Sequence, residues 1–303
     1  MPAPGSPENI VVTVTAGYRE AQIRPFLASL RHHAPDTSLR LLVDRFNPEF
    51  QRDVRTWFPD CSFHLMPPKP LRDYALKRKW AASILKRLSR WSGSQSLGQR
   101  LLKINYLRHI VIADLLRSWR LQEDKILLCD SRDLVFQGNP FLGEWPPLWS
   151  TEEDRLIKDC KVNSAWFRRV GGEAAFQQVQ EKRIVCAGVL GGRADRIEEY
   201  LKNSSALVRK LSPIIPLTDG DQGIHNNLVH LRPDLGFAIQ PNGGRLAANV
   251  GYTSPADLKI ENQTVRLRDR SETPAILHQY DRHPPLVDLV RSRWADAKPA
   301  LPH

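Results

Sequence analysis

The segment Asp124 to Phe141, DKILLCDSRDLVFQGNPF, constrains the fold more than any other part of the chain. Ile126, Leu127 and Leu128 form the short apolar run that a buried central strand needs. The run stops at two carboxylates, Asp130 and Asp133, with Ser131 and Arg132 between them. Apolar residues resume at Leu134, Val135 and Phe136 and end at a Gly138-Asn139-Pro140 turn. Acids at the C-terminal end of a buried strand stand where open α/β sheets bind their ligands. Two carboxylates this close repel unless a proton or a cation separates them. A hard divalent ion with oxygen ligands, Mg²⁺ or Mn²⁺, would do so and could also hold a diphosphate. A strand-end turn with two solvated acids is the plainer alternative.

The rest of the chain supplies the elements such a sheet requires. Ile10 to Val14 reads as a β-branched strand, Glu20 to His32 as a helix with Ile23, Phe26, Leu27 and Leu30 on one face, and Leu39 to Val43 as a second strand. A third short strand is expected at Cys61 to Met66, helices at Leu71 to Trp91 and Leu101 to Trp119, and an internal break at Trp91 to Gly98. Strands alternating with helices at this interval predict a mostly parallel sheet covered on both faces. The last third, rich in Gly, Pro and Asn, reads as irregular or antiparallel.

Charge is unevenly spread. Lys69 to Arg108 holds eleven of the 44 basic residues but only Asp73 of the 33 acids, so it carries +10 of the formal +11. Nucleic acid, an anionic bilayer or phosphorylated substrates would each suit such a patch. Projected as a helix, residues 71–91 set Trp80, Ile84, Leu88 and Trp91 on one face and Arg72, Lys79, Lys86 and Arg90 on the other. That is the pattern of an interfacial anchor on an anionic membrane surface, or of a surface helix packed on the sheet. The polar start MPAPGSPENI has no apolar core of a secretory signal, and no run reaches the ~18 apolar residues of a span. With four widely spaced cysteines and no paired metal spacing, the expectation is a cytoplasmic protein, at most peripheral on the inner membrane face.

Three further segments bear on chemistry. Cys186-Ala187-Gly188-Val189-Leu190-Gly191-Gly192 is a small-residue stretch, read as a loop, where backbone could approach a ligand closely. Asp219-Gly220-Asp221-Gln222 looks like a helix start with Asp221 as N-cap. His278 follows an apolar, strand-like pair in Ile276-Leu277-His278-Gln279-Tyr280-Asp281-Arg282. Together with the acidic strand, these segments resemble the GT-A-fold glycosyltransferases, which bind a nucleotide-sugar through a metal. The resemblance spans about residues 9 to 284 and lies in pattern more than identity. DSRDLVFQGNPF looks like a bacterial and plant subgroup.

The resemblance implies one GT-A domain over residues 1–303, a Rossmann-like α/β fold with a mixed, mostly parallel sheet flanked by helices. A nucleotide-binding half would take about 9–137, a sugar and acceptor half about 138–283, and a peripheral tail 284–303. It implies Mn²⁺ or Mg²⁺ on Asp130, Asp133 and His278; imidazole favours Mn²⁺. The family usually writes Asp-x-Asp, and here Arg132 takes the place of the second acid; Cys186 stands where an Asn is usual. Thr15, Tyr18, Asp44, Arg108, Ser131 and Gly188 would line the donor, and Asp221 and Gln222 would face the transferred sugar. The implied reaction moves a sugar from a UDP-sugar to an acceptor hydroxyl on a glycan, a lipid-linked molecule or a small molecule. The C-terminal His implies retention. Two other classes share parts of this pattern. A nucleotidyltransferase would add a Gly-rich basic loop after the first strand, which Thr15 to Glu20 matches poorly. A nucleic-acid-binding protein would show a docking motif or stacking aromatics, whereas Trp80 and Trp91 sit in a packing pattern, so no nucleic-acid partner is expected.

Overall fold

The computed structural model describes residues 9–66, 104–119, 121, 124–211 and 220–298. The expected helix at 71–91 with its membrane-facing charge, the break at 91–98 and Asp219 lie outside the described residues. Among those described, the chain runs β1 (Asn9–Val14), α1 (Glu20–His33), β2 (Ser38–Val43), α2 (Pro48–Trp57), β3 (Ser62–Leu65), α3 (Ile104–Trp119), β4 (Lys125–Cys129) and β5 (Leu134–Phe136). It continues through β6 (Leu148–Leu156), α4 (Lys161–Val179), β7 (Arg183–Arg193), α5 (Ala194–Leu211) and α6 (Asp221–Leu231). The last elements are β8 (Ala238–Gln240), β9 (Ala247–Asn249), β10 (Leu258–Glu261), β11 (Thr264–Leu267), β12 (Ile276–His278) and α7 (Pro284–Trp294).

Seven strands form one sheet in the order β3-β2-β1-β4-β7-β6-β8. The β3-β2-β1-β4 half is parallel and β7 runs antiparallel between β4 and β6, while β6 and β8 are parallel. The predicted mixed, mostly parallel α/β sheet is therefore present. Strand alternation explains why it needs two covering layers. On β1 and β4, Val11 and Leu127 join a core with α1, α2 and α7, whereas Ile10, Val12, Ile126 and Leu128 join a second core with α3, α5 and α6. Both faces are apolar, as in a sheet buried on both sides. A small sheet, β5-β12-β9, closes over the end of β4; β12 is antiparallel to β5 and parallel to β9. Among the described residues, no helix is long and apolar enough to cross a membrane.

Four expectations need correction. Residues 186–192 are the interior of β7 and not a loop. Their glycines make room for packing: a Cβ on Gly191 would lie 2.4 Å from the Trp149 ring, which is fully buried. The segment after His283 is not a peripheral tail through 294. There α7 starts with Pro284 in its first turn, where a missing N–H costs nothing, and Leu286, Val290 and Trp294 lie on its core-facing side. The last third is not simply irregular or antiparallel, because β12 pairs in parallel with β9 and β8 with β6. Asp221 is the first residue of α6; the N-cap is Gly220, at φ 142°, a conformation that a side chain would strain.

Candidate active site

Three elements deliver the acids and the histidine to one place. β4 ends at Cys129, and Asp130 N–H continues its ladder by donating to Gly188 O at 2.9 Å. Asp133 ends the turn that leads into β5, and its carbonyl accepts from Gln279 N–H at 2.8 Å. That bond and the β12–β5 pairing of His278 with Leu134 carry His278 back over the turn. His278 Nε2 lies 3.7 Å from Asp130 Oδ2 and 3.8 Å from Asp133 Oδ1.

Asp130, Asp133 and His278 each offer one ligand atom, and those atoms all lie within 4.8 Å of one another. Among the described residues this is the one cluster of its kind. His278 is 1% exposed and its Nε2 has no hydrogen-bond partner. A buried polar atom without a partner is costly, so an unpartnered nitrogen facing two carboxylates fits a cation. Two oxygens and one imidazole nitrogen suit Mn²⁺ or Mg²⁺. The three residues are placed to bind a metal ion.

Arg108, on α3, spans the floor of the site. Its Nη1 donates to Asp130 Oδ1 at 2.7 Å, and its Nη2 to Asp221 Oδ2 at 2.6 Å and to Ala187 O at 3.3 Å. Burial pushes the Asp130 carboxyl up, but Arg108 and His278 outweigh it and hold it well below the usual carboxylate range. Burial dominates at Asp133 and at Asp221, and both are raised; for Asp221 Arg108 offsets only part of the effect. With no ion between these groups, burial opposes charge on His278, but the Cys186 sulfur and the Asp130 and Asp133 carboxylates outweigh it and raise the ring.

Gly188 fits between these groups. A Cβ there would lie 2.5 Å from His278 Cε1 and 2.7 Å from Asp130 Oδ2. Gln222 donates through Nε2 to Asn163 Oδ1 at 3.0 Å, and the Asp221 carboxylate accepts from Gln222 N–H at 3.0 Å. Asn105, Arg108, Asp130, Gly188, Asp221, Gln222 and His278 line one cleft.

The other predicted contacts sit around the same strand ends. Tyr18 is half-buried, and burial raises its hydroxyl pKa while Asp130 and Asp133 add to the effect from nearby. Ser131 Oγ donates to Val14 O at 3.4 Å and Thr15 Oγ1 to Leu42 O at 3.4 Å, so both hydroxyls tie strand ends together. Asp44 accepts from Gly17 N–H at 3.2 Å.

Sequence reasoning missed three residues here. Glu153 on β6 is fully buried beside Cys186, Gln222 and Gln279, yet neither of its carboxylate oxygens has a hydrogen-bond partner. Asn249 bonds His278, and Gln279 lines the cleft. Glu153 could have been suspected from strand alternation, since Trp149 and Thr151 share its face and are buried. Asn249 gives no signal of spacing.

No protein-family model and no curated protein sequence matches the chain. Solved structures do. The chain is similar to the galactosyltransferase LgtC, solved with donor and acceptor sugar analogs, at 16% identity and a TM-score of 0.51, over 97% of this chain and 98% of that one. An active-site mutant of LgtC gives 15% identity and a TM-score of 0.52 over the same shares. The glycosyltransferase GlyE of Streptococcus pneumoniae TIGR4 is matched at 18% identity and a TM-score of 0.48, over 90% of this chain and 55% of its own. The protein has the GT-A fold that LgtC has.

Proposed function

We propose that this chain is a metal-dependent glycosyltransferase that moves a sugar from a UDP-sugar to an acceptor hydroxyl, with retention at the anomeric carbon. The observation that carries the reading is the cluster of Asp130, Asp133 and His278 at a strand end, with Arg108 joining Asp130 to Asp221 beside it. LgtC, whose fold the chain shares, was solved with donor and acceptor sugar analogs.

A Mn²⁺ or Mg²⁺ ion held by Asp130, Asp133 and His278 would supply positive charge for the diphosphate leaving group. Arg108 fixes the directions of the Asp130 and Asp221 carboxylates, so neither must reorient during reaction. Asp221 Oδ2, held by Arg108, supplies negative charge for the oxocarbenium character that develops at the anomeric carbon. Gln222, anchored on Asn163, orients the sugar beside it. Gly188 lines the donor side of the cleft and leaves room for His278 and Asp130 to meet there. Tyr18 and Asp44, at the ends of β1 and the β2 turn, take the nucleoside, with Thr15 and Ser131 shaping that edge. The acceptor is a glycan, a lipid-linked molecule or a small molecule; the charge of 71–91 suits either an anionic membrane surface or a surface helix packed on the sheet.

A panel of nucleotide-sugars with Mn²⁺ tests the reading, scored by thermal shift and by slow hydrolysis of the donor. A UDP-sugar should raise Tm and be hydrolysed only with metal. Failure of every nucleotide-sugar to shift Tm or turn over, with the chain folded, would contradict it.

A further inference from the structure

We propose that Asn249 is a positioning residue for this site: it holds the His278 ring with a proton on Nδ1 and leaves Nε2 as the ligand atom. The inference rests on reading Asp130, Asp133 and His278 as a metal site.

The register of two short strands creates the contact. β9 and β12 are parallel, and Asn249 pairs directly with His278 across them. Both side chains are buried, Asn249 at 0% and His278 at 1% exposure. Asn249 Oδ1 lies 2.9 Å from His278 Nδ1. Which atom carries the hydrogen follows from the other end of the amide.

Asn249 Nδ2 lies 3.2 Å from Thr151 O and 3.1 Å from Glu152 O. Carbonyl oxygens only accept, so the NH₂ end of the amide must face β6. A flipped amide would set oxygen against two oxygens. Oδ1 therefore faces the imidazole and can only accept, so Nδ1 must donate. The Cys186 sulfur, 3.5 Å from Nδ1, competes weakly for that nitrogen and already accepts from Gly188 N–H at 3.4 Å. With Nδ1 protonated, the lone pair of the neutral ring sits on Nε2, the partnerless atom that faces Asp130 and Asp133.

Asn249 is itself locked in place. Its N–H donates to Asn242 Oδ1 at 2.8 Å, and Asn242 Nδ2 donates to Asn249 O at 3.0 Å and to Asp154 Oδ2 at 2.8 Å. Ring orientation at His278 is thus set by the fold of β6, β9 and β12 before any ligand arrives. Groups that orient a metal-binding histidine in this way typically contribute about 10- to 100-fold in metal affinity.

The test is Mn²⁺ binding, read from the electron paramagnetic resonance of free Mn²⁺, in the wild type, Asn249→Leu and Asn249→Asp. Leu keeps the volume and removes the acceptor; Asp keeps an acceptor. Asn249→Leu should bind Mn²⁺ about 10- to 100-fold more weakly, and Asn249→Asp should recover most of that loss. Asn249→Leu binding as tightly as wild type, or Leu and Asp losing equally, would overturn the inference while leaving the metal site standing. A wild type that binds no Mn²⁺ would instead remove the metal reading first. Nitrogen-15 spectra of the His-labelled wild type with Mg²⁺ give a readout that needs no variant: the ring proton should reside on Nδ1. A proton on Nε2 would overturn the inference.

Discussion

Gly188 and His278 approach so closely that no side chain fits between them: a Cβ on Gly188 would lie 2.5 Å from Cε1 of the ring and 2.8 Å from Nε2. Gly188 lies inside β7 and His278 ends β12, and pairing to neighbouring strands fixes both, so neither can withdraw cheaply. Gly188→Ala should therefore push His278 and Asp130 apart. Mn²⁺ affinity is expected to fall at least about tenfold, the scale of a disturbed ligand shell, with a stability loss of about 1–3 kcal/mol from overpacking. Gly138→Ala, whose Cβ would lie 3.7 Å from its nearest neighbour, is the control and should leave Mn²⁺ binding intact. Unchanged Mn²⁺ binding in Gly188→Ala would mean that the ring and carboxylate are not held where the ion sits.

Arg108 is the shared partner of Asp130 and Asp221, at 2.7 and 2.6 Å. Asp130 keeps 40% of its side chain exposed and Asp221 only 12%. Losing the guanidinium should thus hurt mainly through Asp221. Arg108→Gln is expected to cost about 3 kcal/mol in urea unfolding, the scale of an abandoned buried charge. Adding Asp221→Asn should return part of it, since the two changes couple. Additive losses in the double variant would show that the pair is not the unit proposed.

Much of the framework was readable from the chain. The apolar runs at 10–14, 39–43 and 126–128 lie within β1, β2 and β4, because a strand buried on both faces leaves an unbroken hydrophobic signal. The two acids and the distant His278 could be tied to one centre only through a family pattern. Their meeting depends on β12 pairing with β5, a contact across more than a hundred residues. Asn249 could not be found this way, since its role arises from register between β9 and β12. Glu153 was hidden because Glu152-Glu153-Asp154 reads as a solvated run, and only the pleat turns the middle acid inward. By contrast α2 and α7 carried visible signals. Phe50, Val54 and Trp57, and likewise Leu286, Val290 and Trp294, recur at helical spacing behind an early proline.

Acid should unfold the protein through two buried histidines on the helices that carry Arg108 and Asp221. His225 Nδ1 meets Tyr200 OH at 2.9 Å and His109 Nδ1 meets Ser204 Oγ at 3.0 Å; both rings are buried. Burial lowers His225 from 6.5 to about 3 and takes His109 well below its usual value. The unfolded chain then binds protons that the folded one refuses. Stability is complete above about pH 6.5 and declines as pH falls toward 3, by up to about 1.4 kcal/mol per pH unit for each such ring. Urea midpoints at pH 7.5, 6 and 5 should drop in that order, and His225→Gln should flatten the slope. A midpoint independent of pH over this range would contradict the burial argument.

Glu153 works in the opposite direction. Burial raises its carboxyl, and neither oxygen has a partner. The folded state therefore holds the proton better than the unfolded one, so its contribution is favourable below about pH 4.5 and is lost as pH rises through the folded value. Glu153→Gln should raise stability at pH 7.5 by about 1 kcal/mol, the scale of an unsatisfied buried group. Thermal unfolding at pH 7.5 and pH 4.5 should show the gain only at the higher pH. A loss at pH 7.5 would mean that the carboxylate has a partner essential to the fold.

The central proposal, that Asp130, Asp133 and His278 share one ion that receives a nucleoside diphosphate, is tested most directly by calorimetry of UDP binding with Mn²⁺ and with EDTA. Wild type should bind UDP with Mn²⁺ and lose that binding in EDTA, and His278→Ala and Asp130→Ala should lose it even with Mn²⁺ while keeping a cooperative thermal transition. Wild-type binding in EDTA as tight as in Mn²⁺, or undiminished Mn²⁺-dependent binding in His278→Ala, would contradict it.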